Sequence, residues 1–461
     1  MGNLETPEKI RTLQQKLYQK AKAEPKFRFY LLYDKVYRPD ILHHAYRLAK
    51  ENGGAPGVDG VTFDHIESCS DGVETMLAQL GKELREETYR PQAVRRVMIP
   101  KPNGGERPLG IPCIRDRVVQ GAAKLALEPI FEADLPDNAY GYRPQRSALD
   151  AVTEVHQNIR DGFNEVVDAD VSKYFDTIPH SALMQSIARR ISDGKMLHLV
   201  KMWLQCPIEE TDERGRRHTT GGKGHKQGIP QGGVISPLLA NIYMRRFLLC
   251  WAIRGLAERL RARIINYADD FVILCRGTAH KALPIAQEIL AAMGLTLNPQ
   301  KTRIVNAWKE PFDFLGYTFG VCYRRPSGKR YLGAQPSKKA TQRLYASICD
   351  VLRPGNLAPQ ETVIRAINHR LRGWANYYSY GTLSIPYRRV DRLVSGRLRR
   401  WLCRRHKVAG RGTRRFPDEA LYGLRPTPLL SLQERLSTQR SHAQGESSPR
   451  AGCGKTARPV R

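Results

Sequence analysis

Acidic charge, paired cysteines and long apolar runs are what this 461-residue sequence has least of. Asp and Glu number 45 against 75 Lys and Arg, a formal net charge of +30. So large an excess excludes an ordinary enzyme of small neutral molecules and predicts a polyanionic partner, of which nucleic acid is the usual one. An anionic membrane surface is the competing partner, but no run approaches the roughly 18 apolar residues of a spanning helix. Nine cysteines are scattered with no CxxC pair among them, which excludes a zinc ribbon and a disulfide framework. "CRRH", with Cys403 and His406, lacks the second half of a metal site. No charged segment followed by an apolar one opens the chain, so no secretion signal is expected, and the thiols should be reduced in a cytoplasmic protein.

What is present has a clear order. Residues 1–88 are basic and amphipathic with helical spacing, interrupted by the Gly-rich "GGAPGVDGVTFD" at 53–64. From 89 the period turns to that of strands, "VRRVMIP", then "NGG", then "RPLGIP". Helical stretches such as "RDRVVQGAAKLALEPIFEADL" then alternate with strands such as "NEVVDADV" and "FDFLGYTF", which predicts an α+β core. "VISPLLANIYMRRFLL" should be a helix with Ser236 as N-cap and Pro237 at its first position. After about 335 the chain is helical and basic again. Residues 388–407 hold nine Lys or Arg and one Asp, while Val390, Val394, Leu398 and Trp401 recur at helical spacing. One face can therefore pack while the rest meets phosphate. The last stretch, rich in Ser, Gly, Arg and Pro, should be disordered when alone.

Because acids are scarce, adjacent ones stand out. "RARIINYADDFVILC" (261–275) sets Asp269 and Asp270 between two apolar, β-branched runs. Asp is common in turns, but a tight hairpin favours Asn-Gly or Asp-Gly, and here "FVILC" follows at once. The pair suits a cation, since carboxylates sharing a site repel unless a metal neutralises them. "NEVVDADVSKYFD" offers a third carboxylate: Asp168 and Asp170 alternate on one strand face, unless one of them caps the next helix. Three carboxylates on neighbouring strands can hold two Mg²⁺ ions about 4 Å apart, the arrangement of in-line nucleotidyl transfer. Spacing does not choose between Asp168 and Asp170. "IPKPNGGERPLGIP" (99–112) places Lys101 and Arg107 on either side of a tight turn, able to reach one anion from two sides or simply to be solvated. "GIPQGGVISPLLANIY" sets Gln231 in a loop whose Gly232 and Gly233 permit close approach of a ligand, or form an ordinary loop and cap.

In this order, the stretches "GAPGVDG", "YRPQAVRRVMIPKPNGGERPLGIPCIRDRVVQ", "YGYRP", "DADVSKYFDTIPH", "PQGGVISPLLANIYM", "YADDFVIL", "LNPQKT", "FDFLGY" and "LRGWANYY" resemble bacterial group II intron-encoded proteins, which are reverse transcriptases and maturases. The resemblance runs from about residue 50 to 380. It implies a right-hand polymerase of α+β class. Residues 1–88 would be a helical N-terminal extension, 89–330 fingers and palm, 331–405 thumb and maturase domain, and 406–461 a basic DNA-binding-like tail, partly disordered. By motif position, Asp170, Asp269 and Asp270 would be the metal ligands for two Mg²⁺ ions, with Mn²⁺ as a substitute, and Asp168 would be structural. Lys101 and Arg107 would bind the triphosphate, and Gln231 would lie against the nucleotide. Phe175, five residues after Asp170, would sit under the sugar and exclude a 2′-hydroxyl by clash. Lys301 would be the proton donor to the leaving pyrophosphate, a role that a point charge on phosphate explains equally well. "FLGY" (314–317) would grip the primer end. For Trp374, Tyr377 and Tyr378 an aromatic core competes with base stacking.

The implied partners are intron RNA, a DNA target, the template–primer duplex and deoxynucleoside triphosphates, with no membrane. The implied setting is the bacterial cytoplasm, on the nucleoid when DNA is bound. Oligomeric state is open, a dimer included. The longest family members end in a metal-dependent endonuclease with paired cysteines, which this sequence does not show, so second-strand cleavage by the protein itself is not expected. Two other readings share the residues: a domesticated reverse transcriptase in phage defence or beside a CRISPR system, and a maturase that assists splicing without polymerising.

Overall fold

Alternating apolar residues between 94 and 336 become strands in the computed structural model, which describes residues 4–421 apart from 71, 101–104, 212–215, 223, 325–326 and 419. In chain order these are β1 (Val94–Pro100), β2 (Glu106–Ile111), β3 (Glu165–Asp170), β4 (Pro207–Thr211), β5 (Arg217–Gly221), β6 (Ala262–Tyr267), β7 (Asp270–Cys275), β8 (Arg303–Asn306), β9 (Phe312–Phe314), β10 (Tyr317–Tyr323) and β11 (Arg330–Pro336). The chain divides into two units, residues 1–151 with 162–304, and residues 152–161 with 305–461.

The first unit holds two sheets. One has the order β2-β1-β4-β5; its β1–β2 hairpin is antiparallel, with Ile99 opposite Arg107. The other has the order β6-β7-β3-β8. Its β7 carries Phe271, Val272, Ile273 and Leu274 in succession, all buried, the continuous apolar run of a strand covered on both faces. Two helices form the floor. Ile114–Glu132 is buried nearly all round, and its Gly121 lets the helix Pro39–Asn52 approach, since a Cβ there would stand 3.3 Å from that of Ala45. The helix Ser236–Ile253 packs Phe247 on Phe271, ring centroids 5.1 Å apart. It starts one residue earlier than its sequence suggests. Ile235 is the N-cap, and the Ser236 hydroxyl donates to the Pro230 carbonyl at 2.8 Å instead of capping. A Ser beside Pro signals a helix start to within a residue or so, and here the loop carbonyl wins the hydroxyl.

The second unit has the sheet β11-β10-β9 and the helices Lys338–Val351, Gln360–Tyr377 and Ser384–Arg405. "FDFLGYTF" is two strands, not one: Leu315 and Gly316 both take positive φ (48° and 78°) and turn β9 back onto β10, the angles a two-residue hairpin loop requires. On the last helix Val390, Val394, Leu398 and Trp401 are buried, while Arg388, Arg389, Arg392, Arg400, Arg404 and Arg405 are exposed. Trp374 and Tyr378 belong to the aromatic core, and Tyr377 is 43% exposed. Of the basic tail, 422–461 lies outside the described residues.

Candidate active site

The pleat of one sheet decides which side chains meet. In an antiparallel pair, residues directly opposite each other share a face. Asp170 stands opposite Asp270 across β3 and β7, Asp168 opposite Val272, and Tyr267 of β6 opposite Asp270. The other face of the same strands carries Ala169, Phe271 and Ile273 and is buried. Asp168 and Asp170 therefore share the opposite face, each partly exposed toward its end, and Asp269 occupies the β6–β7 turn beside them.

That turn has no glycine although Ala268 takes φ 60°, a conformation that costs an alanine free energy and needs external support. The support comes from residues 138–141, which run into "YGYRP". The Asn266 amide N–H donates to the Asn138 carbonyl at 2.9 Å, and the Tyr140 N–H to the Asn266 carbonyl at 2.8 Å. The Asn266 side chain donates to the Ala268 carbonyl at 2.9 Å. Gly141 lies so close that a Cβ there would fall 2.3 Å from the Ala268 nitrogen. Its carbonyl is held in turn by the Asn241 side chain at 2.7 Å.

The crowding of acids shows in their proton affinity. The Asp270 carboxyl is pushed up to about 7, first by desolvation, then by repulsion from Asp269, Asp170 and Asp168. Asp269 is also raised, chiefly by desolvation, with Asp170 adding to the rise and Arg107 and Lys301 opposing it. Hard oxygen donors that repel one another suit a divalent cation of the Mg²⁺ type. The side chains are not gathered into a finished ligand shell: among the described residues no three His, Cys, Asp or Glu stand close enough to hold a metal ion as placed. Asp170 is engaged by Lys301 instead, Nζ to Oδ2 at 3.1 Å. The loop bearing Lys301 is tied to the same strand, since the Asn298 N–H donates to the Asp170 carbonyl at 2.8 Å and the Asn298 side chain turns the chain by accepting from the Gln300 N–H. Asp168 pairs with Arg303 at 3.5 Å.

The remaining candidates stand in a second group. Arg107 Nε donates to Gln231 Oε1 at 2.8 Å. Backbone joins them too, because the Gly110 N–H donates to the Gln231 carbonyl and a Cβ on Gly232 would meet the Gly110 carbonyl at 2.4 Å. Tyr142, at positive φ and 39% exposed, feels the charge of both groups. Its hydroxyl pKa is raised first by burial and then by the Asp269 charge, with Arg107 pulling it down. Phe175 is 6% exposed and lies in the core against Tyr174, ring centroids 5.7 Å apart. Lys101 lies outside the described residues. Gly141, Asn266 and Tyr142 carry no signal in their own types. Only "YGYRP" as a block marks the segment, and the turn it supports is far away in sequence.

Two sequence families match the chain in tandem. Residues 99–319 match reverse transcriptase (RNA-dependent DNA polymerase), and 341–416 match the group II intron, maturase-specific domain. Protein YkfC of Escherichia coli (strain K12) is 33% identical over 368 residues, 72% of this chain and 93% of YkfC. The group II intron-encoded protein LtrA of Lactococcus lactis subsp. cremoris is 36% identical over 355 residues, 64% of this chain and 57% of LtrA. The putative COX1/OXI3 intron 1 protein of Saccharomyces cerevisiae is 28% identical over 333 residues, 61% of this chain and 38% of that protein. Reverse transcriptase sequence followed directly by maturase-specific sequence, in a chain that accounts for nearly all of one relative, shows that the protein belongs to the group II intron-encoded reverse transcriptase/maturase family, whose chemistry is RNA-directed DNA synthesis.

Proposed function

We propose that the protein copies RNA into DNA at Asp170, Asp269 and Asp270, and that it binds a group II intron RNA to assist its splicing and retromobility. The observation that carries the reading is the register of β3 against β7, which sets Asp170 opposite Asp270 at the end of a buried sheet with Asp269 in the adjoining turn. Reverse transcriptases generally use divalent metal ions. Here the three aspartates would hold them, two Mg²⁺ ions with Mn²⁺ as a substitute, and Asp170 would exchange its contact with Lys301 for a contact with metal. Held there, the ions would supply positive charge for a primer 3′-hydroxyl and for a leaving pyrophosphate.

The chain's own residues would do the rest. Arg107 would grip the triphosphate, with Lys101 from the other side of the β1–β2 turn and Gln231 against the nucleotide. Lys301 would stand beside the departing phosphates as a charge or proton donor. Phe175 would bound the sugar from within the core. On this reading 89–330 forms fingers and palm, 1–88 an N-terminal extension, 331–405 the thumb and maturase domain, and 406–461 a DNA-binding-like tail. The exposed arginines of Ser384–Arg405 would neutralise RNA phosphates, and the RNA would perform the splicing chemistry in a fold the protein holds. Titration with Mn²⁺, followed by electron paramagnetic resonance, tests the assignment. Asp170→Asn and Asp270→Asn should each weaken binding at least roughly tenfold, as expected when a ligating carboxylate is lost. Unchanged binding in both variants would sink it.

A further inference from the structure

Asp176 lies beside the second group, in contact with Gln231. Its Oδ1 accepts from Gln231 Nε2 at 3.3 Å, while Gln231 Oε1 accepts from Arg107 Nε at 2.8 Å. We infer that Asp176 is a positioning residue that aims Arg107 at the nucleotide through Gln231; the inference rests on the reading of Arg107 as a triphosphate ligand.

The logic is that of donors and acceptors. A carboxylate can only accept, so Gln231 must turn its NH₂ toward Asp176. Its carbonyl oxygen then has to face the other way, where only a donor is welcome, and Arg107 Nε supplies one. With Nε engaged, the guanidinium plane is fixed. Among the described residues nothing accepts from its two Nη groups, so the fork is left for a phosphate, which it can meet with two parallel hydrogen bonds. Without Asp176 the amide can flip, present NH₂ to the guanidinium and push it away.

Backbone holds the three residues in place. Asp176 lies in the short turn after Asp170, where its own N–H donates to the Lys173 carbonyl at 2.8 Å. On either side of it the chain is stitched to the segment before Gln231: the Ile229 N–H donates to the Phe175 carbonyl at 2.7 Å and the Gly228 N–H to the Ile178 carbonyl at 2.8 Å. Gly228, at φ 95°, allows this approach, since a Cβ would stand 3.1 Å from the Asp176 carbonyl. The segment that supplies one catalytic carboxylate thus also sets the orientation of the cationic grip.

Primer extension by the full chain at varied deoxynucleotide concentration is the test. Asp176→Asn changes one oxygen for a nitrogen and permits the flip. It should raise KM for the nucleotide about tenfold with kcat nearly unchanged, the pattern of lost ground-state and transition-state binding alike. Asp176→Glu should restore part of the loss. In a Gln231→Ala background, Asp176→Asn should have no further effect, because the relay is already cut. An unchanged KM in Asp176→Asn, or a full additional loss on top of Gln231→Ala, would overturn the relay. Arg107→Ala separates the two ideas. If it raises KM and Asp176→Asn does not, only the relay fails; if it leaves KM unchanged, the assignment of Arg107 fails and the relay with it.

Discussion

Replacing Gly141 with alanine should cripple DNA synthesis although the residue touches no substrate. Its backbone angles suit any residue, so space alone is at issue. The added Cβ would stand 2.3 Å from the Ala268 nitrogen, 2.9 Å from the Tyr267 carbonyl carbon and 3.1 Å from the Ala268 Cα. All three are backbone atoms of the turn that carries Asp269, so no flexible side chain can yield. Restoring ordinary contact needs a displacement of about 1 Å, and a misplacement of that size typically costs about 10²-fold in rate. The overpacking should also cost about 1–3 kcal/mol of stability. Single-nucleotide extension of a DNA primer on an RNA template reads kcat, and a thermal melt reads stability. Gly194→Ala is the control, because a Cβ there meets nothing within 4 Å; it should leave both unchanged or raise stability slightly. Full kcat in Gly141→Ala would refute the claim that the 138–141 segment positions the aspartate turn.

Two further outcomes follow from the same geometry. The Asp270 carboxyl is ordinary, near 3.8, in the unfolded chain and about 7 in the fold. Between those values the native state holds a proton that the unfolded chain has lost, so this group's contribution to stability falls as pH rises through the window. In metal-free buffer the parent should therefore melt lower at pH 8 than at pH 5.5 by more than Asp270→Asn does, and Mg²⁺ should close the gap at pH 8; equal pH dependence in parent and variant would contradict the crowding described. Phe175→Val should admit ribonucleotides into the product; the ring is 6% exposed, so the change costs stability, but less than the about 3–5 kcal/mol typical of Phe→Ala because valine refills part of the volume. Continued rejection of ribonucleotides by a folded variant would remove Phe175 from the sugar site.

Much of the candidate site is legible in the sequence alone. Period-two alternation puts Asp168 and Asp170 on one face, and two β-branched runs around "YADD" make a hairpin. Neither can be mistaken for a helix, because the strand period is so short. What alternation cannot give is register. Only pairing across β3 and β7 sets Asp170, not Asp168, opposite Asp270. Hairpin "FDFLGYTF" was hidden because Leu315 is an improbable residue for positive φ, so no turn signal precedes Gly316. The supports of the aspartate turn were illegible for a different reason. Asn266 and Gly141 act through backbone contacts between segments more than 100 residues apart, and nothing local to either says so. Asp176 lay in plain view within "YFDTIPH", yet its partner Gln231 is 55 residues on, and only the fold makes a relay of them.

The most direct test of the central claim is primer extension by the parent and Asp269→Ala on a poly(A) RNA template with a DNA primer, Mg²⁺ and deoxynucleotides, with RNA binding measured on the same preparations. Synthesis by the parent, none by the variant and equal RNA binding by both is the predicted result. Synthesis by the variant at the parent's rate would mean that the aspartates of the β6–β7 turn are a structural hairpin and the chemistry lies elsewhere.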